Sequence, residues 1–322
     1  MHLLIIGCGA IGSYYAERLL SANVDVTVTA RSSHLRVLKQ SGLTVVHDGE
    51  TRSHRVSALS HSELIQQHAP DEFDVIIIAL KATHTLRLIS DIGRWLRSGN
   101  TAVLSVQNGV DNERLFAELL GENRVWGGLS VQSGGEITSP GLATTTGLFK
   151  LIIGPWPYSE TLPETMQQLA TIWQSQGVPV EVSKHIQKEL WKKLIVNNGV
   201  NPLSAAEQEM TYTLTHSDKY KHKVFSAMQE TARAASYDGV GISDAEVEAM
   251  FHLIKTFNSI KTSMLIDLEK GRELELDAIL GSVIARCRML DNPASTTESL
   301  WQQLTSKPIP ESLDALFVHR MQ

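Results

Sequence analysis

Leu3 to Ile6 is a short apolar run that ends at Gly7, and from Ala10 to Ser21 apolar residues recur at helical spacing. β-Branched alternation returns from Val24 to Ala30. A strand, a glycine turn, a helix and a second strand within about thirty residues is the size expected of a parallel βαβ crossover. The pattern continues with a helix over His34 to Gln40, a strand over Leu43 to Val46 and a hairpin over Asp48 to Ala58. Asp74 to Leu80 is nearly all apolar, as suits a strand buried on both faces. A helix over Thr83 to Leu96, a strand over Thr101 to Val106 and a helix over Asn112 to Leu120 follow it. Glycine then punctuates strands and turns from Arg124 to Gly154, before a helix over Leu162 to Gln176 and a strand over Pro179 to Val182.

After Ser183 glycine becomes sparse and the apolar period turns helical. Helices are expected over 185–200, 202–211, 217–238, 244–260, 276–290 and 296–305. A chain of 322 residues exceeds what one core usually supports, so this change of pattern marks a domain boundary. Two domains are predicted, an α/β domain over 1–183 and an all-α domain over 184–322, with a cleft between them.

Composition removes several function classes. The 29 basic residues are outnumbered by 35 acidic ones, giving a net charge of −6, so nucleic acid is not an expected partner. No apolar run nears the roughly 18 residues of a membrane span, and the N-terminus runs into a strand without a basic leader. Cys8 and Cys287 form no disulfide framework, which fits a reducing compartment, and a cytoplasmic location is expected. The twelve histidines show no H-E-x-x-H or Cys/His cluster, so no metal is expected, and the hydrolase signature G-x-S-x-G is absent.

Gly7-Cys8-Gly9-Ala10-Ile11-Gly12 fits G-x-G-x-x-G between a predicted strand and a predicted helix. In that context the first glycine makes the tight turn, the second admits a pyrophosphate against the backbone, and the third allows the helix to pack closely. The first half is therefore read as a Rossmann-type domain. NAD sites usually carry Asp or Glu at the end of the second strand; Arg31 stands there, followed by Ser32 and Ser33. A guanidinium suits a 2′-phosphate, so NADP(H) is the expected cofactor. Lys81 follows the strand Asp74 to Leu80, and Gln107-Asn108-Gly109 ends the next one, both on the ligand face of an open parallel sheet. Lys81 is read either as a cofactor contact or as a solvated lysine, and Asn108 either as a residue on the nicotinamide side or as part of an Asn-Gly turn.

In the second half, Lys193, Asn197 and Asn201 fall at i, i+4 and i+8, so a helix stacks them on one stripe beside an apolar face of Leu190, Trp191, Leu194 and Ile195. A lysine and two carboxamides converging on one place offer what an oxygen-rich small substrate requires. Glu189, four residues before Lys193, provides the competing explanation of a surface ion pair. Ser263-Met264-Leu265 and Glu275-Leu276-Asp277 flank a turn at Glu269 to Arg272, and spacing alone does not separate them from a helix cap and a solvated turn.

Taken together, these residues resemble the ketopantoate reductase family over nearly the whole chain. The G-x-G-x-x-G with Arg31, Leu80-Lys81-Ala82, Gln107-Asn108-Gly109, Glu189-Leu-Trp-Lys-Lys-Leu with Asn197 and Asn201-Pro202-Leu203, and the block from Ser263 to Asp277 recur in the family's order. The resemblance implies a Rossmann domain, a helical domain like the C-terminal domain of 6-phosphogluconate dehydrogenase, and NADPH-dependent reduction of ketopantoate to pantoate on the way to coenzyme A. It implies Lys193 as general acid and Glu275 as the carboxylate that holds the substrate hydroxyl. Asn197, Asn201 and Ser263 match substrate-binding positions, and Lys81 and Asn108 match positions near ribose, nicotinamide and substrate. The expected partners are thus a small 2-keto acid and, as a candidate assembly, a second copy of the chain. Ser130, Thr145, Ile266 and the pair Asn198-Gly199 depart from the family's usual residues, which keeps a related reductase of another 2-keto acid open. A sensor that binds NADP(H) without turnover is the alternative from a different class, and it has no need of Lys193 or Glu275.

Overall fold

Leu3, Leu4, Ile5 and Ile6 are all fully buried, so the first strand is covered on both faces, as in the middle of a parallel sheet layered with helices. The structure, a computed structural model, describes residues 1–256 and 258–321. Its strands are β1 (His2–Ile6), β2 (Asp25–Thr29), β3 (Leu43–His47), β4 (Glu50–His54), β5 (Ser57–Leu59), β6 (Val75–Ile78), β7 (Ala102–Ser105), β8 (Val125–Val131), β9 (Gly134–Ser139), β10 (Leu142–Thr146), β11 (Lys150–Pro155) and β12 (Val180–Val182). Eight of them form one sheet in the order β12-β11-β8-β7-β6-β1-β2-β5. From β8 to β5 neighbouring strands are parallel, whereas β11 runs antiparallel to β8 and parallel to β12. The chain leaves β1 toward β2 on one side and later returns to β6 on the other. The strand order therefore reverses at β1, and the crevice beyond its carboxyl end is the expected ligand site.

A second sheet, β4-β3-β10-β9, corrects the expected hairpin over Asp48 to Ala58. The hairpin is β3–β4, in register from Leu43↔His54 to His47↔Glu50. It turns at Asp48 and Gly49, whose φ angles of 46° and 90° belong to a tight primed turn. β5 leaves this sheet and pairs with β2. The helix Ala10–Ser21 touches strands of both sheets and is buried from Gly12 to Leu19. Tyr14 stacks on Phe149 with ring centres 3.8 Å apart, and buried Glu17 is answered by Arg18 at 3.3 Å and the Ser21 hydroxyl at 2.6 Å.

The chain divides into two compact units: Met1–Gln107 with Asn112–Ile186, and Asn108–Asp111 with the chain from Gln187 onward. In the second unit the helices expected over 185–200 and 202–211 are replaced by one helix, Ile186–Glu207, that continues through Pro202, and by a short helix, Thr211–His216. A proline inside a helix costs about 3 kcal/mol. Val200, Leu203, Ser204 and Ala205 are buried on both sides of Pro202, so packing outweighs that cost. The helix expected over 244–260 is Asp244–Lys255, and residue 257 lies outside the described residues. In place of one helix over 276–290 there is a π turn, Asp277–Gly281, running into the helix Ser282–Met289. Lys221–Tyr237 and Ser295–Leu304 stand close to where the period puts them. His61–Gln67, Ser263–Glu269 and Leu313–Met321 are helices that periodicity did not reveal. His61–Gln67 carries a capping box, in which Ser60 Oγ accepts from Glu63 N while the Glu63 carboxylate accepts from Ser60 N.

Candidate active site

The glycine loop between β1 and its helix has the shape that a dinucleotide requires. Gly7 has a φ of 102°, which side-chain-bearing residues rarely adopt. A Cβ on Gly12 would stand 2.1 Å from the Gly7 carbonyl oxygen, so a hydrogen at this position lets the helix sit against the loop. A Cβ on Gly9 would meet nothing within 4 Å, so the backbone there faces open space. Ala10 and Ile11 begin the helix, whose N-terminus has no side-chain cap, and its first N–H groups form a ready anion site.

Gly7, Cys8, Gly9, Thr29, Ala30 and Arg31 line a cleft of about 210 Å³ together with His34, His61, Leu80, His84, Arg87 and Asp91. Of the predicted cofactor residues, Gly7, Cys8, Gly9 and Arg31 are thus brought to one cavity. Lys81 lies between the lining residues Leu80 and His84, and its carbonyl accepts a hydrogen bond from Gln107 Nε2 at 3.4 Å. His34 was not foreseen. Its Nδ1 accepts from Gly141 N at 2.9 Å, which leaves Nε2 as the nitrogen that donates to the Cys8 carbonyl at 2.9 Å. Burial lowers the His34 pKa, so the ring is neutral and ties the glycine loop to the start of β10. Arg87 was also missed. Burial, with the charges of Arg31 and Arg87, lowers the His61 pKa against the opposing pull of Asp91, 3.4 Å away. Arg31 and Arg87 bring guanidinium groups to this cleft. Burial pushes the Cys8 thiol up to about 11, which makes it a packing residue at neutral pH.

In the second unit, Lys193, Asn197 and Asn201 share the one uninterrupted helix Ile186–Glu207, so the predicted spacing holds over all three. Lys193 and Asn197 are half-buried and Asn201 is buried. Glu189, the competing partner, has its carboxylate 3.3 Å from the ammonium of Lys192. Asn108 stands at a bend of the chain, next to Gly109 with its φ of 95°, and groups with the second unit, where its Nδ2 donates to Glu275 Oε2 at 2.9 Å. Glu275 is buried two residues before the π turn Asp277–Gly281, a helix irregularity that often marks functional sites. Ser263 is exposed as the first residue of the helix Ser263–Glu269.

The family model described as ketopantoate reductase PanE/ApbA matches residues 3–158, and the model for the C-terminal part of the same enzymes matches residues 185–307. The chain belongs to the ketopantoate reductase family. Among its relatives, the 2-dehydropantoate 2-reductase of Pyrococcus abyssi is 26% identical over 308 residues, covering 95% of this chain and 98% of the relative. A solved PanE/ApbA family ketopantoate reductase of Ralstonia eutropha JMP134 has a TM-score of 0.81 at 26% identity, with both chains covered completely. D-mandelate dehydrogenase, solved with NADH and anilino(oxo)acetate, is 20% identical with a TM-score of 0.84 over 94% of this chain and 97% of that one, which bears on the fold alone.

Ser130, Thr145, Asn198 and Gly199, read above as departures from the family's usual residues, have structural partners in this chain. Ser130 Oγ accepts from the Tyr15 hydroxyl at 2.7 Å, and the Thr145 hydroxyl lies 3.1 Å from His47 Nδ1. Fully buried Asn198 donates to Thr231 Oγ1 at 2.9 Å and to Thr297 Oγ1 at 3.0 Å. Gly199 lets the helix Lys221–Tyr237 approach, because a Cβ there would stand 2.6 Å from Met228 Cγ. Among the described residues no helix is long and apolar enough to cross a membrane, and no group of three or more His, Cys, Asp or Glu is placed to hold a metal ion.

Proposed function

We propose that the chain reduces ketopantoate to pantoate with hydride from NADPH, as a step toward coenzyme A. The observation that supports this most is the part-buried Asn108–Glu275 pair, which lies in the same unit as a helix carrying Lys193, Asn197 and Asn201 on one stripe. A ketone that accepts hydride builds negative charge on its oxygen. The Lys193 ammonium, at about 3 Å, stabilises that charge and donates the proton, which is worth roughly 10²- to 10⁴-fold in rate. Glu275 accepts a hydrogen bond from the substrate hydroxyl, and Asn108 sets the rotation of its carboxylate. Asn197, Asn201 and Ser263 hold the remaining oxygens.

The residues fit a bound dinucleotide, since Gly9 is open where the pyrophosphate approaches and Gly12 is closed where the helix packs. Gly7 to Gly12 would hold the pyrophosphate, Arg31 the 2′-phosphate and Lys81 the ribose side. When bound, the dinucleotide supplies the hydride. Cys8 and Cys287 are free and buried, which supports a reducing, cytoplasmic setting.

The test is NADPH oxidation followed by absorbance with ketopantoate beside a panel of other 2-keto acids, repeated with NADH. Ketopantoate with NADPH is expected to give the highest kcat/KM. A faster keto acid moves the substrate assignment, and a preference for NADH overturns the role of Arg31.

A further inference from the structure

Next to the Asn108–Glu275 pair lies a buried charge cluster that the proposed chemistry does not use. Arg286, on the helix Ser282–Met289, is fully buried. Its Nη2 donates to Asp111 Oδ1 at 2.8 Å, and its Nε donates to both carboxylate oxygens of Asp238 at 3.0 Å. Ser282, one turn earlier, donates to the other oxygen of Asp111. A guanidinium is costly to bury unless it is paired, and an apolar side chain often fills such a volume as well or better. What a guanidinium adds is a planar fork that fixes two carboxylates at set angles.

Asp111 ends the four-residue segment Asn108–Asp111, which packs with the second unit although the chain on both sides of it belongs to the first. Asn108, at its other end, holds Glu275. Between them Gly109 presses on the π turn: its φ is 95°, and a Cβ there would stand 3.0 Å from the Ala278 carbonyl oxygen. Asn108, Gly109 and Asp111 meet Glu275, Ala278, Ser282 and Arg286, spaced by three, four and four residues along one stretch of helical turns. A segment pinned at both ends to one such stripe has little freedom to shift or roll.

We propose that Arg286 is a positioning residue: by gripping Asp111 it fixes the segment whose other end orients Asn108 against Glu275. The proposal rests on Glu275 engaging the substrate. Asp111→Ala cuts the grip while leaving Arg286 paired with Asp238, so no buried charge is left without a partner. Turnover of the 2-keto acid is expected to fall roughly 10- to 100-fold, the scale of a misplacement of about 1 Å. The Kd for NADPH is expected to stay within about twofold, because the phosphate contacts proposed for Gly7 to Gly12 and Arg31, which carry most of the affinity, are untouched. The deciding measurement is a double-mutant cycle with Glu275→Gln, in which Asp111→Ala should change turnover by less than about twofold once the carboxylate is gone.

Equal losses in both backgrounds would mean that Asp111 acts through the general fold, and the proposal would fail. It would also fail if NADPH affinity dropped as far as turnover. If Asp111→Ala does not fold, Ser282→Ala removes one donor to Asp111 and enters the same cycle, with an expected loss of about threefold for one hydrogen bond and the same non-additivity. Wild-type turnover in Glu275→Gln alone would instead overturn the assignment of Glu275, and that outcome is visible before the cycle is closed.

Discussion

Gly9 and Gly12 sit three residues apart in one loop, yet a methyl group on each is expected to do opposite things. At Gly12 the new Cβ would stand 2.1 Å from the Gly7 carbonyl oxygen and 3.2 Å from Ala79 Cβ. Non-bonded contacts settle near 3.5 Å, so the helix Ala10–Ser21 has to withdraw by about an ångström. Because that helix is buried from Gly12 to Leu19, its withdrawal disturbs packing against strands of both sheets. Overpacking of this kind costs about 1–3 kcal/mol, a fall in Tm of roughly 3–10 °C for a unit of this size. At Gly9 the Cβ meets nothing within 4 Å and φ is −77°, an ordinary value for alanine. The entropy gained through the unfolded chain, about 0.4–1 kcal/mol, is offset by the poorer N-cap that alanine makes, so Tm should hardly move. The methyl group instead occupies the open face proposed for the pyrophosphate. Losing one or two charge-assisted hydrogen bonds there should raise the Kd for NADPH by about 10- to 100-fold or more. Thermal unfolding and a fluorescence titration with NADPH read the two effects separately. A Gly9→Ala variant that binds NADPH as tightly as the parent, or a Gly12→Ala variant with unchanged Tm, would refute the assignment of the loop.

Lys193→Ala should lower kcat by about two orders of magnitude or more with NADPH affinity nearly intact, because it removes an interaction made in the transition state; near-normal kcat in steady-state assays would sink that role. Arg31→Asp should move preference from NADPH toward NADH, measured as the ratio of kcat/KM values, since a carboxylate repels a 2′-phosphate and accepts from a ribose hydroxyl. Glu230 is buried and accepts from Thr296 N at 2.8 Å, Thr297 N at 2.9 Å and Thr297 Oγ1 at 2.7 Å, serving as the cap that the helix Ser295–Leu304 lacks locally. Glu230→Ala should therefore cost about 2–4 kcal/mol in denaturant unfolding while leaving NADPH affinity unchanged. The His34 pKa is lowered in the folded chain, chiefly by burial, so the unfolded chain binds the extra proton first as pH falls. Stability from this residue is complete above the ordinary histidine value of about 6.5 and is lost as pH falls through the lowered one. Tm measured between neutral and mildly acid pH should drop more in the parent than in His34→Gln, and parallel curves would count against the neutral ring.

What the sequence reveals here follows the range over which each constraint acts. The glycine loop and Arg31 are local: turn, helix start and strand end lie within one βαβ unit, so six residues and their flanks suffice. The stripe Lys193, Asn197, Asn201 is local too, although Pro202 made its helix look shorter than it is, because burial of Leu203 to Ala205 outweighs a penalty that the sequence shows without its compensation. The β3–β4 hairpin was placed too late because Asp48-Gly49 reads as the start of a hairpin until its two positive φ angles make it the turn itself. Asn108 marks the limit. At a strand end, next to glycine, it reads equally as a turn or as a ligand contact, and its actual partner lies 167 residues away. Spacing cannot carry such a pairing, nor the 175-residue reach from Asp111 to Arg286. An apolar period signals burial and is silent on which buried polar groups will meet. Family resemblance supplied Glu275 but not the guanidinium beyond it. An arginine in an apolar helical stretch such as Val283 to Met289 looks like a solvated interruption until two carboxylates are found facing it. A charged residue inside an apolar helical run is therefore best treated as a request for a distant partner, and the partner's own neighbours, here Asn108, are where its purpose should be sought.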